Sequence, residues 1–275
     1  MLGTEDNDPL TRNINKLDTF QIARMIHISN LESLSALSSH LEEISKIIDV
    51  CVERIKRGGR VLYVGAGTSG RIGAQDVVEL RPTFGMDKSI FDFVIAGGER
   101  ALTESVEGAE DDENSAISAL KEKNVCSSDT VIGITASGRT PFVISALKYA
   151  SQLQCYTVII TNNHNSPGSR LVDVSIELLT GPEVIQGSTR LKAGTSQKVV
   201  LNMISTTVAI KLGFTYNNTM VRMQAWMNEK LRQRAVKMLV DAFGISPEEA
   251  QQTLKKYSYK VVDAFNHYRE SVNPK

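Results

Sequence analysis

Cysteine is scarce in this chain, and what there is does not pair. Cys51, Cys126 and Cys155 are odd in number, scattered and without a C-x-x-C spacing. That excludes a disulfide framework and points to a reduced, cytoplasmic setting. Net charge is lacking too: Lys+Arg and Asp+Glu each total 31, so nothing marks the whole chain for a polyanion, and no nucleic-acid partner is expected. The histidines His27, His40, His164 and His267 show no ligand spacing, so no metal site is expected. No apolar run approaches membrane-spanning length, and the polar start M-L-G-T-E-D-N-D-P is unlike a signal peptide, so no membrane partner is expected either. Internal repeats and low-complexity tracts are missing. What these absences leave is a soluble globular protein; 275 residues suffice for one large α/β core with a small appendage.

The hydrophobic pattern supplies the architecture. Residues 1–17 are polar and read as an arm. Asp18 is placed to N-cap a helix over Thr19–Ser29, and a long amphipathic helix is predicted from about Leu31 to Arg57, ended by Gly58-Gly59. Five short apolar runs then read as strands: Val61–Val64, Ile90–Ala96, Thr130–Thr135, Tyr156–Thr161 and Val174–Leu179. Helical stretches separate them, over 100–123 with a break at Gly108 and from Pro141 to about Gln154. This alternation predicts an α/β fold, an open and mostly parallel five-stranded sheet with helices on both faces. Long helices are expected over Lys192–Leu212 and Thr219–Ala242, the latter placing Met220, Met223, Trp226 and Met227 in a core or an interface. Ser246–Tyr268, opening S-P-E-E, is expected to form two short helices.

Two strand–helix junctions carry the candidate chemistry. In V-L-Y-V-G-A-G-T-S-G-R, Gly65, Gly67 and Gly70 allow a tight turn and close approach of a ligand. Thr68 and Ser69 bring hydroxyls to the point where a helix presents unpaired N–H groups, which suits a phosphate. G-x-G-x-x-G is also a dinucleotide fingerprint, but that needs an acidic residue ending the second strand, and here it ends Ala96-Gly97-Gly98 with Glu99 just beyond. The second junction, Ser137-Gly138-Arg139-Thr140-Pro141, again follows a buried strand and precedes a helix. Either Ser137 and Thr140 merely cap that helix, or the two loops hold both ends of a small phosphorylated ligand.

G-A-G-T-S-G-R together with A-S-G-R-T-P resembles the sugar isomerase (SIS) domain, a flavodoxin-like phosphosugar-binding module. V-E-G-A-E-D (Val106–Asp111), T-G-P-E-V-I-Q-G-S-T-R-L-K-A-G-T (Thr180–Thr195) and Q-K-V-V-L-N-M-I-S-T (Gln197–Thr206) resemble the N-acetylmuramic acid 6-phosphate etherase family. The likeness runs from about Asp18 to Gly244; the related glucokinase regulatory protein shares some of these signatures. It implies N-terminal arm and helices over 1–47, the SIS domain over 48–213 and C-terminal helices over 214–275. It also implies a homodimer with its site near the subunit interface, acting on a phosphorylated amino sugar.

The implied reaction is the release of D-lactate from the sugar, leaving N-acetylglucosamine 6-phosphate, a step in cell-wall recycling. Two carboxylates suffice for it and no cofactor is called for. The family's catalytic glutamates fall on Glu79 and Glu110: Glu110 as base at C2, Glu79 as acid for lactate and base for water. By residue type alone, Glu79 is equally a solvated helix-end carboxylate and Glu110–Glu113 a surface charge run. Gly67, Thr68, Ser69, Ser137, Gly138, Arg139 and Thr140 are implied as substrate or phosphate ligands. Lys192, with Arg190 nearby, is a candidate for the phosphate or the lactyl carboxylate.

The chain departs from the family around Glu79, where D-A-S-E-C-P-P-T has become D-V-V-E-L-R-P-T, and at Arg222, where M-V-D has become M-V-R. Arg81 could pair with Glu79. A non-catalytic phosphosugar sensor or a sugar-phosphate isomerase therefore stand as alternatives. Glu79 also lies ten residues past Ser69, about 15 Å along a helix at ~1.5 Å per residue. Either the phosphate rests mainly on Ser137–Thr140, or Glu79 serves the partner subunit's site.

Overall fold

The computed structural model describes residues 3–223, 225–226 and 228–272; Met227 lies outside them. They divide into two compact units, 3–77 with 88–208 and 78–87 with 209–272.

Asp18 starts α1 (Thr19–Ser35) through a reciprocal capping box: its carboxylate accepts from Gln21 N–H at 2.8 Å and the Gln21 side chain accepts from Asp18 N–H at 3.1 Å. The helix outruns its expected end, and the single helix expected from Leu31 to Arg57 is instead broken by a 3-10 turn at Ser38–His40 before α2 (Leu41–Lys56). Serine hydroxyls explain the break. Ser35 and Ser39 return hydrogen bonds to the carbonyls of Glu32 and Ala36, at 2.6 and 3.1 Å, in competition with the helix ladder.

The sheet is built from β1 (Val61–Gly65), followed by α3 (Gly67–Phe84), β2 (Phe91–Ile95), α4 (Glu113–Glu122), β3 (Thr130–Ile134), α5 (Pro141–Gln152), β4 (Tyr156–Thr161) and β5 (Val174–Glu177). All five strands are parallel, in the order β2-β1-β3-β4-β5. Every residue of β1 and β3 is buried, as a sheet covered on both faces requires. On one face Leu62, Val64, Val131 and Ile159 pack against Leu120 of α4 and Phe142 and Leu147 of α5. The order reverses direction at β1/β3, so the carboxyl ends of these two strands open the crevice where ligands bind in such sheets.

One further expectation is corrected. Residues 100–108 are not an α-helix: a 3-10 turn at Glu99–Leu102 and a second at Ala109–Asp111 precede α4. Carbonyls that such a helix would use are taken by Arg71, whose guanidinium donates to Ala101 O at 2.8 Å and Glu104 O at 2.6 Å. The described part of the N-terminal arm is anchored. Thr4 is fully buried, its N–H donating to Asn163 Oδ1 at 3.4 Å and its hydroxyl accepting from Asn163 Nδ2 at 2.9 Å. α3 continues through Pro82 to Phe84; a proline in the last turn leaves little helix beyond it to kink.

After α6 (Lys192–Lys211) come α7 (Glu229–Phe243), α8 (Pro247–Lys256) and α9 (Val261–Val272). The two short terminal helices form as expected, α8 capped by Ser246 with Pro247 in its first turn. α7, however, starts at Glu229 and not at Thr219. Asn228 caps it by accepting from Leu231 N–H at 2.9 Å, and Tyr216 pairs with Thr219 in an antiparallel bridge upstream. Val221, Met223 and Ala225 still enter the core of the second unit, with Ala235, Leu239, Leu254 and Phe265, but from turns rather than a helix face. Among the described residues, no helix is long and apolar enough to cross a membrane.

Candidate active site

The first loop is a backbone-to-backbone junction. A Cβ on Gly65 would lie 2.7 Å from Gly70 N, and one on Gly70 would lie 2.6 Å from Ile95 Cγ1 and 2.9 Å from the Gly65 carbonyl carbon. Neither position admits a side chain, so β1 and the start of α3 can meet this closely only through glycine. Just beyond, a cleft of about 140 Å³ is lined by Gly67, Arg71, Ser105, Val106, Gly108 and Glu110, among others. Glu110 thus shares a cleft with the glycine loop.

The acidic run carrying Glu110 is not a uniform charged surface. Ala109 packs against the hydrophobic core, and Asp112 caps α4, accepting from Ser115 N–H at 3.0 Å. Between these anchors Glu110 is exposed at the cleft. Gly108, at φ +74, turns the chain into this segment, and Arg71 holds the preceding 3-10 turn from below through the two carbonyl contacts above.

The second loop is held from within. Thr135, buried at the end of β3, has its hydroxyl 2.8 Å from that of Thr140 and accepts from Gly138 N–H at 3.3 Å. Ser137 accepts from Arg139 N–H at 3.1 Å. The Thr140 side chain makes no cap hydrogen bond to α5, so helix capping is not what occupies it. Gly138 has φ +66, and a Cβ there would meet Ser166 Oγ at 2.1 Å.

Both loops are braced by one dipeptide, Asn162-Asn163, just past β4. Asn163 Nδ2 donates to Ala136 O at 2.8 Å, beside Ser137. Asn162 Oδ1 accepts from Gln197 Nε2 at 2.9 Å, and Gln197 Oε1 accepts from the Ser69 hydroxyl at 2.8 Å. In sequence this stretch, N-N-H-N-S-P-G-S, carries one signal of such a role, two adjacent amides ending an apolar strand.

Two buried carboxylates also escaped sequence reading. Burial pushes the Asp76 carboxyl up, against hydrogen bonds from Ser205, Lys198 and Tyr63 and the Lys198 charge; Lys198 Nζ is 3.7 Å away. Glu183 is only 1 % exposed and receives the first N–H groups of α6, Lys192 N at 3.1 Å and Ala193 N at 3.0 Å. Burial raises its pKa, opposed by those N–H groups and by the Lys192 charge. Lys192 itself is buried, with Glu183 as counter-charge, while Arg190 is exposed.

Glu79, on the last turns of α3, is exposed, and its carbonyl accepts from the Thr83 hydroxyl at 2.8 Å. Arg81 stands two residues on, a spacing that points side chains to different faces of a helix.

Residues 43–151 match the N-terminal SIS domain of glucokinase regulatory protein, and residues 110–206 the SIS domain. The chain is 47% identical over 260 residues to an N-acetylmuramic acid 6-phosphate etherase from Clostridium beijerinckii, covering 94% of this chain and 85% of that one. It is 46% identical over 251 residues to one from Geobacillus thermodenitrificans, covering 91% and 85%. In three dimensions a phosphoheptose isomerase from Francisella tularensis superposes with a TM-score of 0.51 at 17% identity, over 70% of this chain and 100% of that chain.

Proposed function

This chain belongs to the N-acetylmuramic acid 6-phosphate etherase family, and from that premise we propose how its residues divide the work of the reaction. The activity is that of a carbon–oxygen lyase, releasing D-lactate from N-acetylmuramic acid 6-phosphate and leaving N-acetylglucosamine 6-phosphate. The observation that carries the assignment of roles is the cleft shared by Gly67 and Glu110.

With the sugar open to its aldehyde, the C2 proton is acidified by the adjacent carbonyl. Glu110 takes that proton, the electron pair forms the C2–C3 double bond, and the C3–O bond breaks. Glu79 protonates the departing lactate oxygen, then removes a proton from the water that adds at C3, while Glu110 returns a proton to C2. Gly67, Thr68 and Ser69 on one side and Ser137, Gly138, Arg139 and Thr140 on the other hold the two ends of the phosphosugar. Lys192, held by Glu183, supports this wall of the site. Incubation with substrate in D₂O is the test: lactate release with deuterium at C2 is expected, and lactate without C2 exchange in either substrate or product would overturn the role of Glu110.

The working unit is a homodimer in this reading, in a reduced cytoplasmic setting. Support comes from α1, whose buried residues are Ser29 and Ser33 while Phe20, Ile28, Leu31 and Leu34 are exposed. An apolar face left open this way is what a second copy would cover. Glu79 then serves the partner subunit's site. Heterodimers of Glu79→Ala and Glu110→Ala subunits, each inactive alone, are expected to regain one working site per dimer, about half of the wild-type activity; no recovery in isolated heterodimers would place both carboxylates in the same subunit's site.

A further inference from the structure

The hydrogen-bond chain behind the first loop has a direction. Ser69 donates to Gln197 Oε1 at 2.8 Å, Gln197 Nε2 donates to Asn162 Oδ1 at 2.9 Å, and Asn162 Nδ2 donates to Ser196 Oγ at 2.9 Å. Ser196 in turn donates to Ala193 O at 2.7 Å, and Asn162 Nδ2 also faces Leu178 O at 3.3 Å. Asn162, Ser196 and Gln197 are all buried.

The inner end fixes this direction, because the carbonyls of Ala193 and Leu178 can only accept. Turning the Asn162 amide over would set its Oδ1 against Leu178 O and leave buried groups unpaired, which is costly away from water. Asn162 must therefore offer Oδ1 to Gln197, Gln197 must offer Nε2 to Asn162, and only Oε1 is left for Ser69. A serine hydroxyl has one hydrogen. That hydrogen points inward, so what Ser69 presents to a ligand is lone pairs.

A phosphate dianion carries no hydrogen to give them. The second loop has the opposite polarity: Ser137 accepts from Arg139 N–H at 3.1 Å. Its contact to the Thr135 hydroxyl is long, 3.4 Å, while Thr135 is engaged at shorter range by Thr140 and Gly138 N–H. The Ser137 hydrogen is therefore weakly held and can turn to an anionic oxygen. We propose that Gln197 is a positioning residue that fixes Ser69 as an acceptor, so that Ser69 reads a hydroxyl of the sugar rather than its phosphate. The phosphate then belongs to Ser137–Thr140 and the loop N–H groups. This rests on the reading that the two loops hold a phosphosugar, and it sharpens that reading by assigning each loop a different end of the ligand.

The test compares two probes on three variants. Inorganic phosphate is used as a competitive inhibitor of lactate release, and KM is measured for N-acetylmuramic acid 6-phosphate. Ser69→Ala is expected to raise KM about three- to tenfold, the loss of one neutral hydrogen bond, with the inhibition constant of phosphate unchanged. Ser137→Ala is expected to raise both. Gln197→Met frees the Ser69 hydroxyl to turn, so it should raise KM as Ser69→Ala does, and the double variant should be no worse than either alone. A merely structural Gln197 would instead add its effect to that of Ser69→Ala. Weakened phosphate inhibition in Ser69→Ala, equal to that in Ser137→Ala, overturns the proposal while leaving the phosphosugar reading intact. If neither serine variant changes either constant, the reading of the loops falls with it. Should Gln197→Met not fold, the two serine variants still decide the question, since both sites are only half-buried.

Discussion

Glu110→Gln is expected to lower D-lactate release about a thousandfold, within the range a positioned general base contributes. The amide keeps the shape of the side chain and its place between Ala109 and Asp112, so thermal stability should hold. What it loses is the ability to take the C2 proton. Deuterium should therefore fail to enter C2 of either substrate or product, and lactate release should fall with it, since elimination follows proton removal. Glu79→Gln offers the contrast. If Glu79 acts only on the leaving oxygen and on water, its variant should still exchange the C2 proton while releasing no lactate. The pair of measurements, C2 exchange by NMR and lactate by a coupled assay, separates the two roles. Lactate release by Glu110→Gln within tenfold of the wild type would remove Glu110 from the chemistry.

Glu183→Ala is expected to destabilise the protein by about 2–5 kcal/mol, because it leaves two N–H groups at a buried site without their acceptor, at about 1–3 kcal/mol each, and removes the negative charge nearest the buried Lys192. Glu183 is buried, its carboxylate accepts from the N–H groups of Lys192 and Ala193, and Lys192 is 5 % exposed. Removing the carboxylate strands a buried cation and leaves two N–H groups at the head of α6 without an acceptor. Glu183→Gln keeps one acceptor oxygen and should lose less; Glu183→Ala combined with Lys192→Met should recover part of the loss. Urea denaturation measures all three. A loss below 1 kcal/mol in Glu183→Ala would mean that Lys192 finds another counter-charge or reaches solvent.

The fold was legible because its signals are local. Five short apolar runs, most of them separated by helical spacing, are enough to announce a parallel sheet, and all five strands form within two residues of where the pattern puts them. The glycine loops were legible for the same reason. Gly65, Gly70 and Gly138 occupy positions where no other residue fits, and such constraints leave glycines in the sequence itself. Helix boundaries were less legible. The stop in Leu31–Arg57 and the late start of α7 depend on serine and asparagine side chains competing with the backbone, which hydrophobic spacing does not register.

By itself, then, the sequence determined the sheet, the two loops at its carboxyl edge, the family and the reaction. Tertiary structure alone decided what each polar group in those loops is free to do. Ser69 and Gln197 are 128 residues apart, and Thr4 and Asn163 are 159 apart. Their meeting needs the strand order, which brings β1, β3 and β4 side by side, together with the placement of α6 and the N-terminal arm at the ends of those strands, and no local pattern records it. Whether a serine gives or accepts a hydrogen is set by the last fixed carbonyl in a buried chain, and that carbonyl is chosen by the fold.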